Sequence, residues 1–139
     1  MSNLDTRSSF KAAVEARDRD AVRRCLAPDV RFYPPLRFKP FVGRDEVAWM
    51  LDIPAAVFAF HDSFRYTRDL SFGDEQALFF EGAIEGRSME GVDLLRFDEN
   101  GLVTELRVMM RPLAEIQRFA AIAADILAAS SRSGQGSPS

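Results

Sequence analysis

The sequence is poor in the residues that most metal and disulfide sites need. Among 139 residues, Cys25 is the single cysteine and His61 the single histidine. One cysteine excludes an intramolecular disulfide and is typical of a reducing compartment, and its place on a predicted helix indicates a buried thiol rather than a nucleophile. Because the sequence has no clustered histidine, cysteine or carboxylate ligands, we expect no metal site.

Excess positive charge and long apolar runs are also missing. The net charge is −3 and the pI is near 5.2, so neither nucleic acid nor an anionic membrane would meet a basic surface. No apolar run reaches the length of a membrane span, and the first ten residues lack the apolar core of a signal peptide. No glycine-rich nucleotide-binding motif occurs. We therefore expect a cytoplasmic protein without a cofactor, acting away from nucleic acid and membranes.

Two alternating strands joined by a tight turn stand out in residues 91–110. Asn100 and Gly101 are the strongest hairpin signal in the chain, because both tolerate the positive φ angles of a type I′ turn. With these two residues as the loop, Asp93 faces Val108. That register places the carboxylate of Asp93 on an otherwise apolar face, where a charge is costly unless it is paired or protonated. Asp93 is therefore the first candidate for a functional site.

Helical patterns precede and follow a series of predicted strands. Asp18 is a predicted N-cap, and Pro112 opens a last amphipathic helix. Pro54 is expected to kink or end a third helix, although residues 55–60 could resume it. Alternation and turn residues predict strands over 30–33, 64–72, 76–84, 89–97 and 102–111. The pattern indicates one α+β domain over residues 1–129, with residues 130–139 as a disordered tail.

Three segments, taken in order and at their spacing, resemble the SnoaL-like branch of the nuclear-transport-factor-2-like superfamily. They are EARDRDAVRRCLAPDVRF, FVGRDEV and GRSMEGVDLLRFDENGLVTELRVMMRPL, within residues 8–113. The resemblance implies a cystatin-like α+β cone, in which a strongly curved antiparallel sheet wraps around N-terminal helices beside a C-terminal helix. An apolar pocket would open at the wide end. The superfamily includes isomerases, cyclases, hydrolases and non-catalytic modules, so the fold does not settle the function.

Compared with ketosteroid isomerases, this sequence keeps only one residue of the catalytic set. The resemblance places the base at Pro34, the first-helix tyrosine at Phe10, and supporting tyrosines at Leu26 and Leu51, so only the later acid remains, as Asp93. Proton transfer on a steroid enone needs a base as well as an oxyanion donor. We therefore expect no steroid isomerase activity.

Three side chains are candidates for catalysis, namely Asp93, Tyr66 and His61. Asp93 would act as a general acid if burial raises its pKa, or as an acceptor that orients the ligand if it stays ionised. The structural alternative is a carboxylate bonded to Tyr66 or Arg68 that touches no ligand. His61 titrates near neutrality and lies in a predicted loop near the pocket mouth, although a surface histidine is the simpler interpretation.

Aromatic and methionine side chains on the inner faces are the expected pocket wall, because such residues around a lone polar group are typical of small-ligand sites. They are Phe10, Phe32, Trp49, Met50, Phe80, Met89, Val108 and Met110, of which Trp49 could equally cover the pocket from outside. Val92, Leu94 and Met109 make the outer sheet face too apolar for full solvation, which predicts a homodimer through that face.

The leading hypothesis is a pocket for a small hydrophobic organic molecule, with Asp93 as the polar anchor. The reaction would be an isomerase, cyclase or hydrolase type that uses Asp93 and no cofactor. The alternative is a non-catalytic ligand-binding or dimerisation module. A water-activating epoxide hydrolase is disfavoured, because Gly91 stands where that arrangement would carry an arginine.

Overall fold

Four helices and a six-stranded sheet make up the computed structural model, which describes residues 3–59 and 63–134. The helices are α1 (Asn3–Glu15), α2 (Arg19–Arg24), α3 (Arg44–Ala59) and α4 (Leu113–Gly134). The strands are β1 (Leu26–Tyr33), β2 (Phe41–Val42), β3 (Arg65–Phe72), β4 (Glu75–Ile84), β5 (Arg87–Phe97) and β6 (Val103–Arg111). Their order is β2-β1-β6-β5-β4-β3, antiparallel except where β1 runs parallel to β6. The predicted α+β class, a curved sheet around helices, is confirmed.

The β5–β6 hairpin has the predicted register along most of its length, but its loop differs. Phe97 pairs with Val103 rather than with the next residue, so the loop is longer than the predicted two-residue type I′ turn. The carboxylate of Asp98 accepts hydrogen bonds of 2.9 Å from the backbone N–H groups of Asn100 and Leu102. Only Gly101 has a positive φ in this loop, of 80°. The side chain of Asp98 therefore sets the turn, and the type I′ prediction was wrong.

A β-bulge in β3 decides which of its side chains face inward. Tyr66 pairs with Phe80, and Arg68 with Phe79, so Thr67 is an extra residue with no partner in the ladder. Because one inserted residue inverts the alternation, Tyr66 stays inside while the following even-numbered residues turn outward. The guanidinium of Arg68 lies 4.8 Å from the centre of the Phe79 ring on the outer face, so Arg68 is not the partner of Asp93 that the sequence offered beside Tyr66. The side chains that follow it outward are exposed, namely Leu70 and Phe72.

Two helices continue past a point at which the sequence allowed them to end. Helix α3 runs through Pro54 to Ala59. Helix α4 continues to Gly134, so residues 130–134, placed in the predicted tail, are helical. Serine and arginine can both adopt the backbone angles of a helix. Gly134 is the first residue of this segment that strongly favours a helix end.

Two apolar clusters fill the space between the concave sheet face and the helices. The larger cluster packs α1 and α3 on the middle of the sheet, with Leu26, Val30, Val47, Leu78 and Val103 fully buried at its centre. The smaller cluster packs α4 on the sheet end, through Ile53, Ile84, Met89, Phe119 and Ala123. Each of these side chains except that of Ala123 contributes about 1.5–3 kcal/mol by leaving water, which fixes the helices against the sheet.

Across residues 3–59 and 63–134, no helix is both long enough and apolar enough to cross a membrane.

Candidate functional site

A cavity of about 240 Å³ lies between the concave sheet face and helices α1, α3 and α4. Its wall is largely apolar and is built from side chains that alternate inward on the strands and face the sheet from the helices. Six residues predicted for the wall lie in it, namely Phe10, Phe32, Met50, Phe80, Val108 and Met110. The remaining two predicted wall residues lie elsewhere.

Trp49 and Met89 do not line the cavity. Trp49 is 49% exposed, because α3 turns the neighbouring Ala48 and Met50 toward the cavity and leaves Trp49 on its outer side. Met89 is on the inner face of β5 but lies four residues before Asp93, about 13 Å along an extended strand. It is buried beneath α4 in the smaller apolar cluster, so it contributes to the core instead.

Helix α4 supplies a part of the wall that the sequence did not identify as pocket. Phe119, Ala123 and Leu127 are spaced four residues apart and line the cavity from one helix face. The apolar stripe was visible in the sequence, but the same stripe is expected of any helix that covers a core. Only the position of α4 beside the sheet turns part of this stripe into a cavity wall.

Asp93 and Tyr66 form the polar end of the cavity. Strand β5 points Asp93 inward opposite Val108, and the bulge after Tyr66 keeps the phenol on the same face. The hydroxyl of Tyr66 donates a hydrogen bond of 2.7 Å to Oδ2 of Asp93. Among the residues that the structure describes, Tyr66 is the only one whose side chain forms a hydrogen bond with the Asp93 carboxylate. Both side chains are part-buried and line the cavity, and Oδ2 is the carboxylate oxygen that Tyr66 occupies.

Burial dominates the electrostatics of this pair. Removal of the carboxyl from water raises the pKa of Asp93 from 3.8 to about 7, and the hydrogen bond from Tyr66 opposes part of that rise. Burial, the charge of Asp93, their hydrogen bond and the more distant Glu15 raise the pKa of Tyr66 well above 10. Tyr66 therefore stays a hydrogen-bond donor, whereas Asp93 can hold or release a proton near neutral pH.

An ion pair at the edge of the cavity joins α2 to α3. Arg19 donates from Nε to Oδ1 of Asp52 at 2.9 Å and from Nη2 to Oδ2 at 2.7 Å, and both residues line the cavity. Asp18, also in the wall, caps α2 by accepting from the backbone N–H of Ala21. These two carboxylates are already committed to other groups, which leaves Asp93 as the carboxyl available inside.

A catalytic role for His61 and the expected absence of a metal site both stay predictions. His61 lies outside the described residues. Within residues 3–59 and 63–134, no three side chains of histidine, cysteine, aspartate or glutamate lie close enough together to hold a metal ion. Of the two partners that the sequence offered for the Asp93 carboxylate, the structure shows Tyr66, and both side chains line the cavity.

The pair offers two kinds of chemistry from one geometry. A protonated Asp93 can donate from Oδ1 to a ligand oxygen while Oδ2 accepts from Tyr66. An ionised Asp93 can accept a proton from the ligand at the same oxygen. A group whose pKa lies near the working pH serves well in both directions, because both forms are populated.

Comparison with known proteins gives a consistent picture of the fold. A family model described as a SnoaL-like domain matches residues 7–106. A steroid delta-isomerase from Pseudomonas aeruginosa is 27% identical, with a TM-score of 0.86 and 94% of each chain covered. An uncharacterized protein with a cystatin-like fold from Silicibacter pomeroyi DSS-3 is 31% identical, with a TM-score of 0.83, and 91% of this chain and 88% of that chain are covered. No curated protein matches this chain.

Proposed function

This chain belongs to the family of SnoaL-like domains, and from that premise we propose that its cavity binds a small, largely apolar molecule carrying a carbonyl or hydroxyl oxygen. The carboxyl of Asp93 forms a hydrogen bond with that oxygen and transfers a proton to or from the bound molecule. The reaction belongs to the isomerase, cyclase or hydrolase type in which this carboxyl is the acid or base. The observation that carries the proposal is a carboxyl with a pKa of about 7 that faces an apolar cavity and is held by a single tyrosine.

The apolar wall supports the ligand class. A ligand that fills about 240 Å³ removes apolar surface from water on both sides of the contact, which favours ring-shaped or branched hydrocarbon bodies. The polar end then selects for one oxygen, because a ligand without it would leave the Asp93 carboxyl buried and without a second partner. The ligand is therefore apolar over most of its surface and polar at one position.

Proton transfer at a carbon next to a carbonyl is the reaction that this site supports best. The relative named as a steroid delta-isomerase makes an isomerase relevant, at 27% identity. In this chain Pro34 lines the cavity at the position where the isomerase resemblance places the base. Asp93 therefore has to serve as base and acid in turn: the ionised carboxylate takes the proton from the carbon, and the carboxyl so formed returns it to the enolate at oxygen or at carbon. Because no second base is present at Pro34, we propose a substrate other than a steroid enone.

The test uses 2-tetralone, a small ketone with exchangeable protons next to its carbonyl, and tetralin, its hydrocarbon counterpart. At about a hundred times its dissociation constant a ligand adds roughly 2.7 kcal/mol of stability, which raises the midpoint of thermal unfolding by several degrees. We expect the wild type to respond to the ketone more strongly than to tetralin. Proton exchange of the bound ketone in deuterated buffer, followed by NMR, reports the chemistry.

Two substitutions at Asp93 separate binding from proton transfer. Asp93→Asn keeps a hydrogen-bond donor but cannot ionise, so it should bind the ketone and fail to accelerate exchange. Asp93→Leu should lose the preference for the ketone over tetralin as well. Exchange by the wild type at the rate of buffer alone would reject the catalytic role. Equal responses of all three proteins to both compounds would reject Asp93 as the ligand anchor.

A dimerisation module is the second candidate function, because the outer sheet face is apolar. Leu70, Phe72 and Met109 are 50%, 88% and 54% exposed on that face, and Val92 and Leu94 lie between them on β5. We propose that a second copy of the chain covers this face. Sedimentation velocity should find a dimer that Phe72→Asp or Met109→Asp converts to a monomer. Phe38→Asp, at an exposed residue of the loop between β1 and β2, should leave the dimer intact. A wild-type monomer at high micromolar concentration would contradict the proposal.

A further inference from the structure

Gly91 leaves room on the inner face of β5 for an aromatic ring. A β-carbon at this position would lie 2.5 Å from Cζ and 3.0 Å from Cε2 of Phe80, and 2.4 Å from the carbonyl oxygen of Met109. Real β-carbons do not approach other atoms this closely, so position 91 admits no side chain in this arrangement. Phe80 is the cross-strand partner of Gly91, and its ring, only 4% exposed, occupies the space where that side chain would stand.

Three rings connect this space to the functional carboxyl. The Phe80 ring packs against Phe64, with centroids 5.3 Å apart and an interplanar angle of 32°. Phe64 meets Tyr66 in an edge contact, with centroids 5.2 Å apart and an angle of 77°. Both separations are within the range of attractive aromatic pairs. The hydroxyl at the far end of the series donates to Asp93 at 2.7 Å.

We propose that Phe80, seated over Gly91, is a positioning residue that acts through Phe64 to hold the Tyr66 hydroxyl on one oxygen of Asp93. Its consequence is that the other carboxylate oxygen faces the cavity. The inference deepens the proposed function, and it rests on that function only in assigning a ligand to the second oxygen. The positioning itself is a property of the protein without ligand.

Tyr66 needs a packed neighbour because its ring borders the cavity. A phenol that borders a cavity can rotate into empty space unless its ring is packed, and a hydrogen bond weakens steeply once its geometry is lost. Sites that depend on one hydrogen bond hold their groups within about 0.5 Å through neighbours that are themselves packed. Phe80 is such a neighbour, because its ring is packed between Gly91 and the ring of Phe64.

The test measures the Asp93 carboxyl directly by carbon-13 NMR over a range of pH, without any ligand. Tyr66→Phe removes the hydrogen bond to the ionised form and should raise the titration midpoint of Asp93 by about one pH unit. Phe80→Leu should raise it in the same direction, and Phe80→Leu added to Tyr66→Phe should change it no further. Phe32→Leu is the matched control, because Phe32 is equally buried, at 5%, and lines the same cavity while stacking on a different ring.

The charged groups around the pair are unchanged in these variants. Glu15 of α1 acts on Tyr66, and Arg17, Asp18, Arg19 and Asp52 line the cavity edge in every protein of the series. A midpoint difference between Phe80→Leu and the Phe32→Leu control therefore reports the position of the tyrosine. An equal shift from Phe80→Leu with and without the tyrosine hydroxyl would overturn the proposal, as would a Phe32→Leu shift as large as that of Phe80→Leu.

Phe64→Leu provides the same test from the middle of the series. It leaves Phe80, Gly91 and the backbone pairing of Phe80 with Tyr66 in place and removes the ring that lies between their two rings, so it should reproduce the Phe80→Leu midpoint. If Phe80→Leu does not fold, this variant decides the outcome, and a wild-type midpoint in it would reject the proposal. Because the readout needs no ligand, a failure of 2-tetralone to bind would reject the proposed function and leave this result standing.

Discussion

Replacing Asp93 with asparagine is expected to make the folded protein more stable at pH 8 and to change its stability little at pH 4. Asparagine has the shape of a protonated aspartate, and its side-chain oxygen can accept the hydrogen bond from Tyr66. At low pH the two proteins therefore present nearly the same neutral group to the cavity. At high pH the wild type must hold a buried charge that the variant lacks.

The magnitude follows from the difference in proton affinity between the folded and unfolded chains. Burial raises the pKa of Asp93 from 3.8 to about 7. At about 1.4 kcal/mol for each pH unit, the difference corresponds to roughly 4 kcal/mol. Between these two pH values the folded chain keeps a proton that the unfolded chain has lost, so this group's contribution to stability falls as pH rises. Below 3.8 both states hold the proton, and above about 7 neither does, so the contribution is then constant.

The assay is urea unfolding of both proteins from pH 4 to pH 8.5, read as the difference in free energy of unfolding at each pH. We expect that difference to grow in favour of Asp93→Asn up to about pH 7 and then to level off. Asp29→Asn, an exposed carboxylate on β1, controls for the loss of one negative charge. A difference that stays flat over the whole range would refute the reasoning, because Asp93 would then carry the same charge in the folded and unfolded chains.

Two further substitutions test the hairpin loop and the cavity wall. Asp98→Ala removes two hydrogen bonds to backbone N–H groups and should cost about 1–2 kcal/mol in urea unfolding, whereas the neighbouring exposed Glu99→Ala should cost far less; equal costs would contradict the role of Asp98. Trp49→Phe should change the affinity for 2-tetralone less than about twofold, because Trp49 does not line the cavity, and a tenfold loss by calorimetric titration would place it in the wall after all.

Local pattern was sufficient for most of the β5–β6 hairpin. The pairing of Asp93 with Val108 follows from alternation, since a one-residue slip would move every apolar side chain to the wrong face. The loop was wrong because the prediction weighed only backbone preferences of Asn100 and Gly101. The side chain of Asp98, a few residues upstream, competes for the same N–H groups and closes a different turn.

The bulge in β3 shows why alternation alone misplaced Arg68. The sequence of a strand shows the spacing of its own residues. It does not show at which position one residue is left without a partner on the neighbouring strand. The extra residue, Thr67, has no distinguishing feature in the sequence, yet it turns Arg68 to the outer face and leaves Tyr66 as the partner of Asp93. The two alternatives for that partner could be separated only by the ladder between β3 and β4.

The cavity wall was predictable where a side chain belongs to a strand face and less so where it belongs to a helix. Phe80, Val108 and Met110 follow from alternation, and all three line the cavity. The sequence could not decide between the two positions of Trp49, because neighbouring residues on α3 differ in direction by about 100° and the sequence does not show which side meets the sheet. Phe119 was recognised as apolar, but its role in the wall depends on where α4 packs.

The sequence by itself determined the family fold and the presence of a carboxylate on an apolar face, because both follow from short-range periodicity and from motifs in order. The tertiary structure decided which side chain binds that carboxylate and in which direction its pKa shifts. Tyr66, 27 residues away along the chain, reaches Asp93 only after β3 and β5 join the same sheet. The raised pKa likewise arises from the exclusion of water by groups on several elements, and such a sum over neighbours exists only in the folded chain.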